Sequence, residues 1–462
     1  MCLTNKQQDL KKTPALCGLL FFLSFSAQAE DLLTVYRLAL KNDPTYLASE
    51  AEMRANNEVV PQALSKLLPS AQANVYTTGN DYDLYPQNSR YNTHGYTINL
   101  TQPVFHLDYF SQLKQSSVQK QAGIITYWLR KQELILRLTQ SYFDFLASLD
   151  DLQFFESQRK SFSKELEQAQ QRFEVGLIAI TEVHEAKAKR DLALAQEVNA
   201  KNAVASNKDK LIEIIGVDFQ GISPLKKHLD LKKPIPEDQD QWIQAALKHN
   251  LALQIAKKNA CIAKYNVVNA YSGHVPTLDL QASRNKAKAR PGSSFGNKQV
   301  FTNDSLTLNV TVPIFQGGLV LSKTREASAR LDQANREIDL QVRTRTSETS
   351  QAYRSILTSI SEIQALAQAV VSNQSALDAT RAAYEVGTRI ILDVLTAETN
   401  LLSAKRDYSK ARYKYVIESL TLKSEAGSLN EEDIIQINEM LIQNMSHWPE
   451  QYLPANYLSS SS

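Results

Sequence analysis

The chain repeats itself, and the repeat is about half its length. Ala39-Leu40-Lys41 recurs as Ala246-Leu247-Lys248. Thr97-Ile98-Asn99-Leu100-Thr101 with Pro103-Val104-Phe105 recurs as Thr307-Leu308-Asn309-Val310-Thr311 with Pro313-Ile314-Phe315. Phe173-Glu174-Val175-Gly176 returns as Tyr384-Glu385-Val386-Gly387, and Pro69 as Pro276, always at an offset of 207–211 residues. That period is too long for a solenoid, so a whole unit has been duplicated. The expected organisation is a first repeat over 30–226, a linker over 227–236, a second repeat over 237–429 and a tail over 430–462. Lys232-Lys233-Pro234-Ile235-Pro236 makes the linker stiff.

Glycine and proline mark out the anatomy of each copy. Residues 124–175, 177–215, 237–272, 319–386 and 388–426 contain neither, and they are rich in Ala, Gln, Glu, Lys and Leu. The 68 residues of 319–386 would make a helix about 100 Å long at ~1.5 Å per residue. Patterns of this length mean a coiled coil or a helical array. Two heptad seams are visible, one over Leu321, Thr324, Ser328, Leu331, Asn335, Ile338 and Val342. The other runs over Val394, Ala397, Leu401, Ala404, Tyr408, Ala411 and Tyr415. Small and polar residues at these positions bury little area each, so the helices are expected to pack against several neighbours in a sheet-like array.

Between the helices lie short alternating segments. Residues 70–78 and 92–104 flank a loop at about 79–91, and residues 277–285 and 300–312 flank another at about 286–299. They form β-hairpins over about 70–104 and 276–313. Each segment has 9–13 residues, and ~9–11 cross a membrane as a tilted strand. Tyr76, Tyr82, Tyr85, Tyr91 and Tyr96 suit an interfacial aromatic belt. Two soluble hairpins would carry the same pattern. If the strands do enter lipid, four per chain are too few, because open edges are not tolerated there. Two copies would give eight strands and a closed interior, and three would give twelve and leave a lumen.

The remaining features narrow the class. Residues 1–29 read as a secretory signal, with Lys6, Lys11 and Lys12, an apolar core over Leu16 to Phe25, and Ala27-Gln28-Ala29 before Glu30. The full chain has 51 basic and 49 acidic residues; losing three lysines and Asp9 makes the two equal. A neutral balance gives no reason to expect a nucleic-acid partner. Cys2 and Cys17 leave with the signal, and the lone Cys261 supports neither a disulfide nor a cysteine-based metal site. Beyond residue 29 no run of 18 apolar residues occurs, which excludes a spanning helix. His184-Glu185 begins like a zinc-protease motif, but position 188 is Ala. The other histidines are scattered. No nucleophile, base or metal cluster supports an enzyme, and no cofactor is expected. Gly317-Gly318 follows a strand and precedes the longest helix, which fits a bend from barrel to helix. Pro103 and Pro313 stand at equivalent strand ends and suit the same change of direction.

Four stretches carry a resemblance: Gly273 to Leu280, Pro313-Ile314-Phe315-Gln316-Gly317-Gly318, Arg172 to Thr181, and Tyr384 to Leu395. Over about 31–440 the chain resembles the TolC family of outer membrane efflux proteins, the channels of tripartite efflux pumps and type I secretion. The resemblance implies an α+β membrane protein: a homotrimer with a twelve-stranded outer-membrane β-barrel, four strands per chain, continuous with a long periplasmic α-helical barrel. It implies outer-membrane lipid, a periplasmic adaptor (a membrane fusion protein) and an inner-membrane pump of RND, ABC or MFS type as partners, with no enzymatic activity. The competing reading is a periplasmic or surface coiled-coil scaffold without a pore.

Two turns are the candidate sites. Gly176 and Gly387 follow long helices, where a left-handed cap is expected. Glu182 and Asp393 align in the repeat, and carboxylates at a helix start are also ordinary dipole partners. The resemblance puts Thr181, Glu182, Tyr384 and Arg389 where polar links close the aperture, and Asp393 on a ring of aspartates. It makes Val175, Gly176, Leu177, Val386, Gly387 and Thr388 the adaptor-docking turns. The family's second aspartate is replaced by Thr396.

Overall fold

The computed structural model describes residues 30–84, 87–226, 229–289 and 299–442. The expected signal over 1–29, Tyr85, His228, His447, the Arg290-Pro291-Gly292 turn and the end of the tail lie outside the described residues, as does the side chain of Tyr82.

Each repeat runs helix, helix, hairpin, long helix, shorter helix. The first contains α1 (Leu32–Asn42), α2 (Pro44–Ser65), β1 (Ser70–Leu84), β2 (Gln87–Phe105), α3 (Leu107–Glu174) and α4 (Ile180–Ile215). The second contains α5 (Gln239–His249), α6 (Leu251–Tyr271), β3 (Thr277–Ala289), β4 (Gln299–Thr311), α7 (Leu319–Glu385) and α8 (Ile391–Glu425). The tail supplies α9 (Glu431–Glu439), opened by a capping box between Asn430 and Asp433.

The helix ends depart from the glycine and proline pattern at Gly123 and at Asn250, each for a local reason. Helix α3 runs straight through Gly123, where a β-carbon would stand 2.9 Å from Asn56 of α2; the glycine permits close packing and ends nothing. The stretch 237–272 breaks at Asn250, whose side chain accepts from Leu253 N at 3.2 Å and donates to Glu425 O at 2.9 Å. Asp43 makes the equivalent break before Pro44, capping through Tyr46 N at 2.8 Å. The hairpin expected to open into a loop over 79–91 stays paired to Leu84 and Gln87, because Asp81 and Arg90 face each other at 2.9 Å and Asn80 donates to Thr93 at 3.0 Å.

The helices form the expected array. Helix α3 packs on α2 and α6 and, further along, on α4 and α8; α7 packs on α5, α6 and α8. Residues from α1, α3, α4, α7, α8 and α9 converge on one core, around Val35, Leu138, Tyr142, Ile215, Ile356, Leu422 and Ile434. The second heptad seam faces inward as expected, with Val394, Leu401, Ala404, Ala411 and Tyr415 buried. The first is rotated. Leu321, Ser328 and Asn335 are exposed, while Val320 and Ala327 are buried, so the packed stripe lies one residue earlier. The described part of the linker is not a free tether either. The Lys232 amide donates to the Tyr415 hydroxyl at 3.0 Å, that hydroxyl donates to Lys232 O at 2.8 Å, and Trp242 Nε1 donates to Pro236 O at 2.8 Å.

Candidate functional site

The four strands form one antiparallel sheet in the order β1-β2-β3-β4, so the two repeats share it and both outer edges are open. Residues directly opposite across a ladder share a face. Ala71, Leu100, Ala282 and Leu306 make one such row, and Leu280 and Leu308 extend it toward the helices. Toward the hairpin tips the next row is Ala73, Ile98, Arg284 and Asp304, then Val75, Tyr96, Lys286 and Thr302. This face is apolar near the helices, apart from Gln102 opposite Leu280, and polar near the tips. The opposite face is amide and hydroxyl throughout its middle: Gln72, Asn99, Ser283 and Ser305 in one row, Asn74, Thr97, Asn285 and Asn303 in the next. Ser283 and Ser305 are bonded at 2.8 Å, and Thr97 donates to Asn285 at 3.3 Å.

The border of the apolar band slants. Its last residues are Val75 on β1, Ile98 on β2, Ala282 on β3 and Leu306 on β4, and Leu306 lies level with Ala71. The border therefore drops by four residues, from Val75 to the level of Ala71, across the sheet. At ~3.3 Å per residue and ~4.8 Å per strand, that drop sets the strands about 40° from the normal to the band. Strands of a closed barrel tilt by roughly 35–45°.

The expected tyrosine belt is divided between the faces. Tyr76 pairs with Gly95 and Tyr91 with Asn80, on the polar face; Tyr96 pairs with Val75, on the apolar one. Closeness in sequence around a hairpin does not fix sidedness, whereas the ladder register does. Tyr76 lies over Gly95, where a β-carbon would meet its hydroxyl at 2.9 Å and Lys286 O at 2.4 Å.

The two copies pass from sheet to helix differently. The β2 ladder shifts register between Pro103 and Phe105, and α3 begins two residues later. Behind Pro313, Gly317 (φ 60°) and Gly318 (φ 81°) are both left-handed and α7 starts at Leu319. In the first repeat the residue just before the helix is His106, which contacts Asp279 of β3 at 3.1 Å and stacks on Tyr109 at 4.4 Å. Sequence reasoning left His106 among the scattered histidines; its place directly after Pro103-Val104-Phe105 was the available signal.

At the far end of the helices both turns close with the same cap. Gly176 (φ 74°) donates to Phe173 O at 2.9 Å, and Leu177 N donates to Arg172 O at 2.9 Å. Gly387 (φ 78°) donates to Tyr384 O at 3.0 Å, and Thr388 N donates to Ala383 O at 2.9 Å. This double bond pattern is a Schellman motif, and it requires the left-handed glycine. Val175 and Leu177 on one turn and Val386 on the other are exposed.

The second turn gathers most of the candidate gate. Arg389 Nη1 lies 3.5 Å from Asp393, in the first turn of α8. Tyr384 is half-buried against the Leu377, Val394 and Leu401 cluster. Thr396 donates its hydroxyl to Leu392 O at 2.8 Å, so it folds back on its own helix. Thr181 and Glu182 are exposed at the start of α4, and among the described residues no hydrogen bond or ion pair joins the two turns within the chain.

Charges that sequence reading missed lie inside the α3/α4 hairpin. The Glu197 side chain, 5% exposed, pairs with Arg159 and, at 2.7 Å, with Lys201. Burial raises its pKa, but those two partners outweigh it and hold the carboxyl below its ordinary value. Among the described residues Glu165 pairs only with Lys189, at 3.7 Å, and burial pushes its pKa up. No periodic signal marks such residues, since each occupies an ordinary helical position. Among the described residues no helix is long and apolar enough to cross a membrane, and no group of side chains is arranged to hold a metal ion.

The sequence model of the family described as outer membrane efflux protein matches residues 35–217 and 242–428. Outer membrane protein TolC of Escherichia coli K12 is 35% identical over 458 residues, covering 96% of this chain and 92% of that protein. Proteases secretion protein PrtF of Dickeya chrysanthemi is 29% identical and covers 89% of this chain and 91% of that protein. The Campylobacter jejuni CmeC outer membrane channel shares the fold, with a TM-score of 0.75 at 18% identity over 97% of this chain and 99% of that one.

Proposed function

The chain belongs to the outer membrane efflux protein family, and on that premise we propose that it is an outer-membrane export duct. It passes drugs or secreted proteins outward from an inner-membrane pump and its periplasmic adaptor, and it carries out no chemistry on them. One observation carries the reading: a four-stranded sheet with a slanted apolar band on one face, uncharged polar rows through the middle of the other and two open edges stands at the end of helices 68 and 67 residues long. A band of that kind belongs in lipid, where open edges must be paired. The outer strands β1 and β4 run in opposite senses, so copies joined edge to edge continue the antiparallel pattern. Three copies make twelve strands and a lumen, and the helices below line a passage through the periplasm. The signal over 1–29 directs export.

The gate lies at the α7/α8 turn. Arg389, Tyr384, Thr181 and Glu182 hold neighbouring hairpins together, and the adaptor releases them by docking at the turns around Gly176 and Gly387. Asp393 faces the pore as a single carboxylate ring, since Thr396 replaces a second. Its own Arg389 stands beside it, so the ring is partly neutralised while the gate is shut.

The test is a heat-modifiable trimer in the outer-membrane fraction that opens channels in planar bilayers. Arg389→Ser with Tyr384→Phe is expected to raise single-channel conductance. A soluble chain, or unchanged conductance in the double variant, would count against the duct and the gate respectively. A pore-free scaffold predicts the first of these results.

A further inference from the structure

The outward face of the sheet carries charge that conduction does not need. Beyond Ala282 on β3 come Arg284, Lys286 and Lys288, all on the face of the apolar band and all on the side toward the hairpin tips. Helices below and tips above make that side the outer leaflet. Arg284 is neutralised by Asp304 at 3.1 Å, and Arg90 by Asp81 at 2.9 Å. Lys286 and Lys288 have no ion pair among the described residues. Their cross-strand partners are Tyr96 and His94.

Height matters here. Along a strand tilted about 40°, Lys286 stands roughly 10 Å above the edge of the band and Lys288 roughly 15 Å. A lysine stem reaches back several Å along an apolar surface while its ammonium stays in the polar layer. Two unneutralised cations at two depths, beside an interfacial tyrosine, match a lipid whose phosphates also lie at more than one depth. The first repeat has Thr77, Gly79 and Asp81 at the equivalent positions, so the feature occurs once per copy.

We propose that Lys286 and Lys288, with Tyr96 beside them, form a docking patch for the phosphates of an anionic, phosphorylated glycolipid of the outer leaflet. The proposal rests on the barrel reading above, because only a closed barrel turns this face to lipid. Each lysine near such a surface contributes about five-fold in affinity, and the pair roughly thirty-fold. Raising the ionic strength weakens the binding.

The test uses the full-length trimer in phosphatidylcholine vesicles with or without a bis-phosphorylated glycolipid, and native mass spectrometry counts the retained glycolipid. Wild type and Lys286→Arg/Lys288→Arg are expected to retain it, and Lys286→Gln/Lys288→Gln to bind about thirty-fold more weakly. Dephosphorylated glycolipid should bind all three equally poorly. Equal affinity of the glutamine variant, or undiminished binding of the dephosphorylated lipid, overturns the patch. Conductance of the same preparations separates the two readings. A conducting trimer with unchanged glycolipid affinity removes the patch alone, and a preparation without channels removes the barrel and the patch with it.

Discussion

The two long hairpins hold their helices together by different means. In the part of α3/α4 nearest the turn, beyond Phe154 and before Leu211, the buried residues are Ser161, Ala186, Ala193 and Ala200, with the carboxylates of Glu165 and Glu197 between them. In the part of α7/α8 nearest the turn the buried cluster is Leu377, Val394 and Leu401, with Val370, Ile391 and Tyr384 packed around them. Alanine at close contact buries little area, and a buried charge demands one partner at one position. Apolar side chains of similar volume accept more than one arrangement at small cost. For the proposed gate, the difference favours motion in the second hairpin, which also carries Tyr384, Arg389 and Asp393, over motion in the first.

Four substitutions break or sharpen that contrast. The largest effect is expected from Leu377→Ala, which opens a cavity at a side chain 2% exposed and should cost about 3 kcal/mol in denaturant unfolding followed by helical circular dichroism. A loss under about 1 kcal/mol would mean that the α7/α8 cluster is not a core. Next comes Arg159→Ala, which leaves Glu197 buried with Lys201 alone. The loss should be roughly 2 kcal/mol, and it should shrink as pH falls, because a depressed carboxyl gives stability above its unfolded pKa that disappears on protonation. A loss equal at pH 7 and pH 3 would show that packing, not charge, holds the pair.

Smaller effects follow at the turn and in the hairpin interior. Thr396→Asp restores a second carboxylate ring one turn from Asp393, and block of the open channel by a trivalent cation should tighten roughly ten-fold. Unchanged block would place residue 396 away from the pore. The smallest effect is expected from Glu165→Gln. Burial raises the Glu165 carboxyl, so its ionised form opposes folding at neutral pH, and the opposition vanishes as pH falls through the raised pKa. The glutamine variant should therefore be slightly more stable than wild type at pH 7 and equal to it in acid. Greater stability of the wild type at pH 7 would make the Lys189 pair a net attraction.

The long elements were legible because nothing interrupts them. Residues 319–386 contain no glycine or proline, and α7 spans Leu319–Glu385. Where the reading failed, a side chain supplied what composition does not record. Asn250 caps a new helix inside a stretch that looked continuous, and Asn56 explains a glycine that looked like an ending. Repeat alignment found both turns, and the glycines there are left-handed as their position required. It could not find the Arg389–Asp393 pair, because spacing of four along a helix start is common and the intervening backbone decides whether the side chains meet.

The neutral rows on the polar face of the sheet, which lines the lumen in the proposed barrel, have a consequence for transit. Over Gln72, Asn99, Asn74, Thr97, Asn285 and Asn303 a traveller meets only side chains that both donate and accept weakly, with no fixed charge to attract or repel it. Such a wall neither sorts molecules nor retains them. In the proposed duct, anionic and cationic cargo would then leave at rates set by size alone. Such an exit would impose no direction of its own, and one-way traffic would fall to the gate proposed at the α7/α8 turn.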